Sequence, residues 1–117
     1  MKRDMNLVRE ILIRVEAQAA DQEGGPLNLH EHSDAEVGYH VKLLHQAGLV
    51  EVVGGATELE SWIPLALTWQ GHDFLDACRE PSRWDSAIRI VKEKAGTVSF
   101  EVLKQLLVAL SKRSLGL

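Results

Sequence analysis

The residues able to do chemistry in this chain fall into three groups, and each has to be tested against the spacing its chemistry needs. His30 and His32 flank Glu31 in an HEH triplet, and His40, His45, His72, Asp73 and Asp76 add further nitrogen and oxygen donors. A zinc site needs three or four such ligands converging, and no HExxH or CxxC spacing is present. The second group is Cys78 with His72. Six residues of helix separate them by about 240 degrees, so they cannot share a face as nucleophile and base. No Ser/His/Asp order, phosphate-binding glycine loop or paired acidic motif occurs, so the expectation is a protein that is not an enzyme, with no metal and no cofactor.

The third group is a recognition surface rather than a reaction centre. Tyr39, Lys42, His45 and Gln46 recur at helical spacing inside HSDAEVGYHVKLLHQAGLV, residues 32–50, and these side-chain types can contact base edges, phosphates or a protein surface. The helix that must carry them is well bounded. Ser33 followed by Glu36 is a capping box, in which each side chain satisfies a free N–H of the first turn. Gly48 supplies a left-handed stop, with Leu49 packing back on Leu44 as in a Schellman motif. At 100 degrees per residue, Val37, His40, Val41, Leu44 and Ala47 fall on the buried side with Leu43 at its margin, and Ala35, Gly38, Tyr39, Lys42, His45 and Gln46 face outward. His40 is thus expected to be a hydrogen-bonded core histidine that reaches the LTWQGHD segment.

Charge bears on what such a surface meets. The formal net charge of the 117 residues is -4, but it is unevenly spread. Residues 15–78 hold eleven acidic side chains and a single base, Lys42, a net of -10, whereas residues 1–14 carry +2 and residues 79–117 carry +4. A nucleic-acid reader draws most of its nonspecific affinity from lysine and arginine on phosphates. The acidic middle opposes that at long range.

Stepping outward along the chain, Asp4 is a good N-cap for a first helix with its apolar stripe at Leu7, Val8, Ile11, Leu12 and Val15. The glycine-containing DQEGG ends it, and PLNL, residues 26–29, reads as a short strand. LVEVV and SWIPLAL read as two strands joined by GGATELE, a hairpin whose connection carries the acids Glu58 and Glu60. Pro64 has no N–H to give a ladder, which makes the second strand an edge. Thr68 then caps a helix with Gly71, Phe74, Leu75 and Cys78 on one face, which Pro81 closes. Ser82 and Asp85 form a capping pair for a further helix with Trp84, Ile88, Val91 and Ala95 aligned and Gly96 as its stop. Ser99 caps the last helix, where Phe100, Leu103, Leu106, Leu107 and Leu110 form a stripe widened by Val102, Val108 and Ala109. That width implies burial on two sides, in the core or in a homodimer through this helix. Trp62, Trp69 and Trp84 are expected as packing aromatics.

Helix, capped helix, hairpin, helix is the order of a winged helix-turn-helix. The expected fold class is α+β, mostly α, with a winged-helix core over residues 1–80 and a helical extension over 81–117 packed on the same domain. Length and composition fit a compact globular chain. Charged residues interrupt every apolar run near the N-terminus, so neither a signal peptide nor a transmembrane span is expected, and a lone Cys78 agrees with a reducing cytoplasm.

The segments MKRDMNLVREIL, YHVKLLHQAGLVE, LTWQGHDFLDA and SFEVLKQLL resemble a group of small bacterial and phage-borne proteins that form a family of unknown function, and this resemblance covers nearly the whole chain. It implies a winged-helix fold in a bacterial or prophage setting and no particular activity. HVKLLHQAGLV followed by LT and a glycine is more broadly similar to winged-helix repressors, in which the equivalent helix enters the major groove. The chain departs from them in its wing, where GGATELE has two acids and no base. The expectation is therefore a binding module that recognises a protein partner through Tyr39, Lys42, His45, Gln46, Glu58 and Glu60, with mimicry of DNA toward a basic surface as one route. A DNA-binding transcriptional regulator is the alternative.

Overall fold

The computed structural model describes residues 1–18, 27, 29, 31–55, 57–96 and 99–117. Among them are five α-helices and one two-stranded antiparallel sheet, so the fold is α+β and mostly helical. The chain divides into two compact units, Met1–His72 and Asp73–Leu117, with the division falling inside the third helix.

In the first unit, α1 spans Met5–Ala17 and buries Met5, Leu7, Val8, Ile11, Leu12 and Val15, the expected stripe with Met5 added. Asp4 caps it, its carboxylate accepting from the Asn6 and Leu7 N–H groups at 3.0 and 3.2 Å. Of the expected PLNL strand, Pro26 and Asn28 lie outside the described residues, as does DQEGG, while Leu27 and Leu29 are not in a strand and Leu29 is buried.

Helix α2, Asp34–Gln46, begins where its cap predicts, with Ser33 Oγ accepting the Glu36 N–H at 3.1 Å. The other half of the capping box is replaced, because the Glu36 carboxylate engages His32 Nδ1 at 3.1 Å. At the far end Gly48 adopts φ +77, and the Leu49 N–H reaches back to the Leu44 carbonyl at 2.9 Å, which is the Schellman closure.

The hairpin pairs β1, Val50–Gly54, with β2, Trp62–Leu67, and a 3-10 turn over Leu59–Ser61 precedes β2. The register shifts between Glu51, opposite Ala66, and Val52, opposite Pro64. Leu65 is the extra residue. A bulge beside Pro64 is where a missing N–H is tolerated.

Helix α3, Trp69–Cys78, is tied to α2 by Thr68. The Thr68 hydroxyl accepts the Gly71 N–H at 3.0 Å, donates to the Gly48 carbonyl at 2.6 Å, and the Thr68 N–H donates to the Leu49 carbonyl at 3.0 Å. A Cβ at Gly71 would lie 3.0 Å from the Leu49 carbonyl carbon and closer to its oxygen, so glycine is what lets these two ends meet.

In the second unit, Phe74, Leu75 and Cys78 of α3 are buried. Pro81 does not merely end the preceding helix; it is the first residue of α4, Pro81–Ala95, whose N-cap is Glu80 rather than the expected Ser82. The Glu80 carboxylate accepts from the Ser82 and Arg83 N–H groups at 3.1 and 2.8 Å. A proline at the first helical position has no N–H that needs a partner, which is why the helix starts there. Trp84, Ala87 and Val91 are buried, Ile88 is half-buried, the Ala95 side chain lies outside the described residues, and Gly96 stops the helix at φ +73.

Helix α5, Phe100–Ser114, packs against α4. Phe100 packs against Phe74 with ring centroids 5.0 Å apart and the rings tilted by 41°. Ser99 stands at its N-cap, but its side chain makes no capping hydrogen bond. Leu103 and Leu107 are fully buried within the single chain and Leu106 and Leu110 are half-buried, whereas Val102, Val108 and Ala109 are exposed. The apolar stripe is thus narrower than its sequence suggests.

Candidate functional site

The surface expected to do the recognising is shaped by how the hairpin meets α2. Gly38, expected to face outward, is buried. A Cβ built there would stand 2.6 Å from the Leu59 carbonyl carbon, nearer still to its oxygen, and 3.3 Å from the Glu60 nitrogen. The 3-10 turn therefore lies directly on the α2 backbone. A glycine inside a helix gives up about 1 kcal/mol of propensity relative to alanine. That cost was the signal in the sequence that another backbone approaches at 38.

Trp62, the first residue of β2, carries this contact farther along α2. Its ring has the Lys42 ammonium 5.9 Å from the centroid and the His45 ring 5.8 Å away. A cation within about 6 Å of an indole face is attracted by its negative quadrupole. Lys42, the sole base between residues 15 and 78, thus has its charge placed over an aromatic of its own chain. His45 also directs Nδ1 toward the Val50 carbonyl at 3.4 Å.

The remaining expected contact residues separate. Gln46 and His45 are exposed at the end of α2, Tyr39 and Lys42 are half-buried, and Glu58 and Glu60 are exposed on the connection. Tyr39 packs edge-on to His40 with centroids 5.7 Å apart. Ala47, expected to be buried, is exposed at the C-cap of α2. Of the tryptophans, Trp84 is buried and Trp62 half-buried. Trp69 is 80% exposed at the start of α3, contrary to its expected packing role.

His40 is a core histidine with an unexpected partner. It is 1% exposed, and its Nε2 accepts the Asp4 N–H at 2.8 Å instead of reaching the LTWQGHD segment. Because a backbone N–H only donates, Nδ1 carries the ring proton and donates it to the Glu36 carbonyl at 2.8 Å. Both ring nitrogens are consumed in joining the start of α1 to α2. His40 is therefore structural, and pattern alone could not choose between partners 36 and about 30 residues away.

Among the described residues, the other chemical groups do not converge. His32 sits on Glu36, and its hydrogen bond holds the Glu36 carboxyl below the usual carboxylate range. His30 lies outside the described residues, His72 and Asp73 are exposed, and Cys78 is buried. Among the described residues no group of three or more His, Cys, Asp or Glu is placed to hold a metal ion. No helix among them is long and apolar enough to cross a membrane.

Between α2 and the hairpin lies a cleft of about 130 Å³, lined among the described residues by Leu27, Val37, Gly38, Trp62, Ile63 and Pro64 with Asp34 and Glu60 at its polar side. Neither carboxylate has an ion-pair partner among the described residues. Two exposed carboxylates thus frame a recess that includes Trp62.

No solved structure matches the chain. A protein of Haemophilus influenzae, described as an uncharacterized protein, is 37% identical over 108 residues, which is 90% of this chain and 91% of its own. The family model described as hypothetical protein (DUF2513) matches residues 2–97, so the chain belongs to the DUF2513 family.

Proposed function

We propose that the chain is a non-enzymatic winged-helix binding module of bacterial or phage origin that recognises a protein partner through the acidic surface formed by α2 and the hairpin. The order α1, α2, hairpin, α3 and the tight junction at Thr68 support the winged-helix reading. The observation that carries the functional reading is that the hairpin connection lies on α2 at Gly38, while Trp62 takes up Lys42 and His45. A helix that reads the major groove needs an open face and cations beside it. Here the turn covers part of that face at Gly38, and the carboxylates of Asp34, Glu58 and Glu60 stand exposed beside it. Such a surface complements a basic one, including the nucleic-acid-binding face of another protein, where it would stand in for DNA.

The alternative is a DNA-binding transcriptional regulator. It is favoured by His45 and Gln46, which stay exposed at the C-terminal end of α2, and by the basic residues of the chain's two ends. Titration against mixed genomic DNA at low salt separates the two. The protein-binding reading predicts no association, and salt-sensitive binding that Lys42→Glu abolishes would replace it with the regulator.

A further inference from the structure

We propose that the cleft between α2 and the hairpin takes an arginine side chain of the partner protein; this inference rests on the protein-recognition reading. Three features of the cleft converge on that chemistry. Its volume of about 130 Å³ suits one side chain, well below the roughly 300–1,000 Å³ of pockets for small-molecule ligands. Its lining of Val37, Ile63, Pro64 and Trp62 matches an aliphatic stem and a flat cation, since guanidinium is weakly hydrated and packs on apolar and aromatic surfaces. Its polar side holds Asp34 and Glu60, two exposed carboxylates with no ion-pair partner among the described residues, and carboxylates are the acceptors that a guanidinium fork binds through paired hydrogen bonds. The chain supplies a precedent of its own, because the Trp62 ring already attracts the Lys42 ammonium. A lysine would satisfy the charge, but arginine alone adds stacking to two-point hydrogen bonding.

The test titrates the full chain, labelled with nitrogen-15, with Nα-acetyl-arginine amide at low salt, alongside the citrulline and lysine counterparts. The expected result is saturable displacement of the Trp62 indole and Gly38 amide signals by the arginine probe, weaker with lysine, absent with neutral citrulline, and reduced at least tenfold in affinity in the double variant Asp34→Asn, Glu60→Gln. Both substitutions are isosteric at exposed positions, and an unchanged spectrum away from the cleft verifies folding. Equal shifts from arginine and citrulline, no saturable shift, or binding unchanged in the double variant would overturn the assignment. If the probe fails while genomic DNA still does not bind, only the arginine cleft falls; if DNA binds and Lys42→Glu abolishes it, the protein-recognition reading falls as well.

Discussion

Replacing Gly38 with alanine should destabilise the protein, although alanine is the better helix former. The perturbation is one methyl group, placed 2.6 Å from the Leu59 carbonyl carbon and closer to its oxygen. Its neighbours are backbone atoms of the 3-10 turn, which cannot swing aside as a flexible side chain could. Overpacking typically costs about 1–3 kcal/mol, and collision with backbone belongs at the upper end. Alanine recovers about 1 kcal/mol through helix propensity. The net expectation is a loss of about 2 kcal/mol, which for a chain of this size lowers Tm by roughly 6–10 °C. Urea denaturation of Gly38→Ala followed by circular dichroism measures the loss, and amide spectra should show shifts concentrated in residues 57–63. Gly48→Ala is the control. Gly48 has φ +77 and open space around it, so alanine there costs about 1–2 kcal/mol through left-handed backbone strain and leaves the hairpin signals in place. If Gly38→Ala were as stable as the parent, or more stable by the alanine propensity, the turn would not lie on α2 and the account of the covered face would fail.

Three further outcomes follow from the junctions that hold this surface. Thr68→Val keeps the shape but removes both the cap to Gly71 and the bond to Gly48, so stability measured by urea denaturation should fall by about 1–2 kcal/mol. His40→Leu leaves the Asp4 N–H and Glu36 carbonyl without their ring partners and should cost about 2–4 kcal/mol, with faster amide exchange at Asp4 as the local signature. The Glu36 carboxyl is held low first by its hydrogen bond with His32, so its stabilising contribution is complete above the ordinary carboxylate pKa and is lost as pH falls through the depressed value. His32→Ala should move the Glu36 titration midpoint, followed by carbon-13 NMR, upward toward the ordinary value; an unmoved midpoint would contradict that pairing.

Where local chemistry decides structure, the sequence was legible. The caps at Asp4 and Ser33, the glycine stops at 48 and 96, and the hairpin each depend on residues within one turn or one strand pair, and all formed as their residue types predict. Expectations failed where distant segments meet. Helical phase puts Gly38 outward because it carries no trace of the turn that begins at Leu59, and it points His40 to the LTWQGHD segment instead of Asp4 because an imidazole has two nitrogens and many possible neighbours. Glu80 displaced Ser82 as a cap because Pro81 fixes where α4 can begin, a local rule that outranked the capping pair. The six candidate contact residues were identified by type, but Lys42 and His45 were drawn onto Trp62, an aromatic the pattern had assigned to packing alone. The cleft itself had no sequence signature, since its lining comes from three separate segments.

The most direct test of protein recognition over groove reading is the salt dependence of DNA association. The full chain is titrated into a labelled random duplex by fluorescence anisotropy across a series of salt concentrations from low to physiological, with Lys42→Glu in parallel. A phosphate-reading surface gives a log–log slope of about -0.9 for each phosphate neutralised. Protein recognition predicts no measurable association at the lowest salt for either protein; binding with a steep negative slope in the parent chain that vanishes in Lys42→Glu would overturn it.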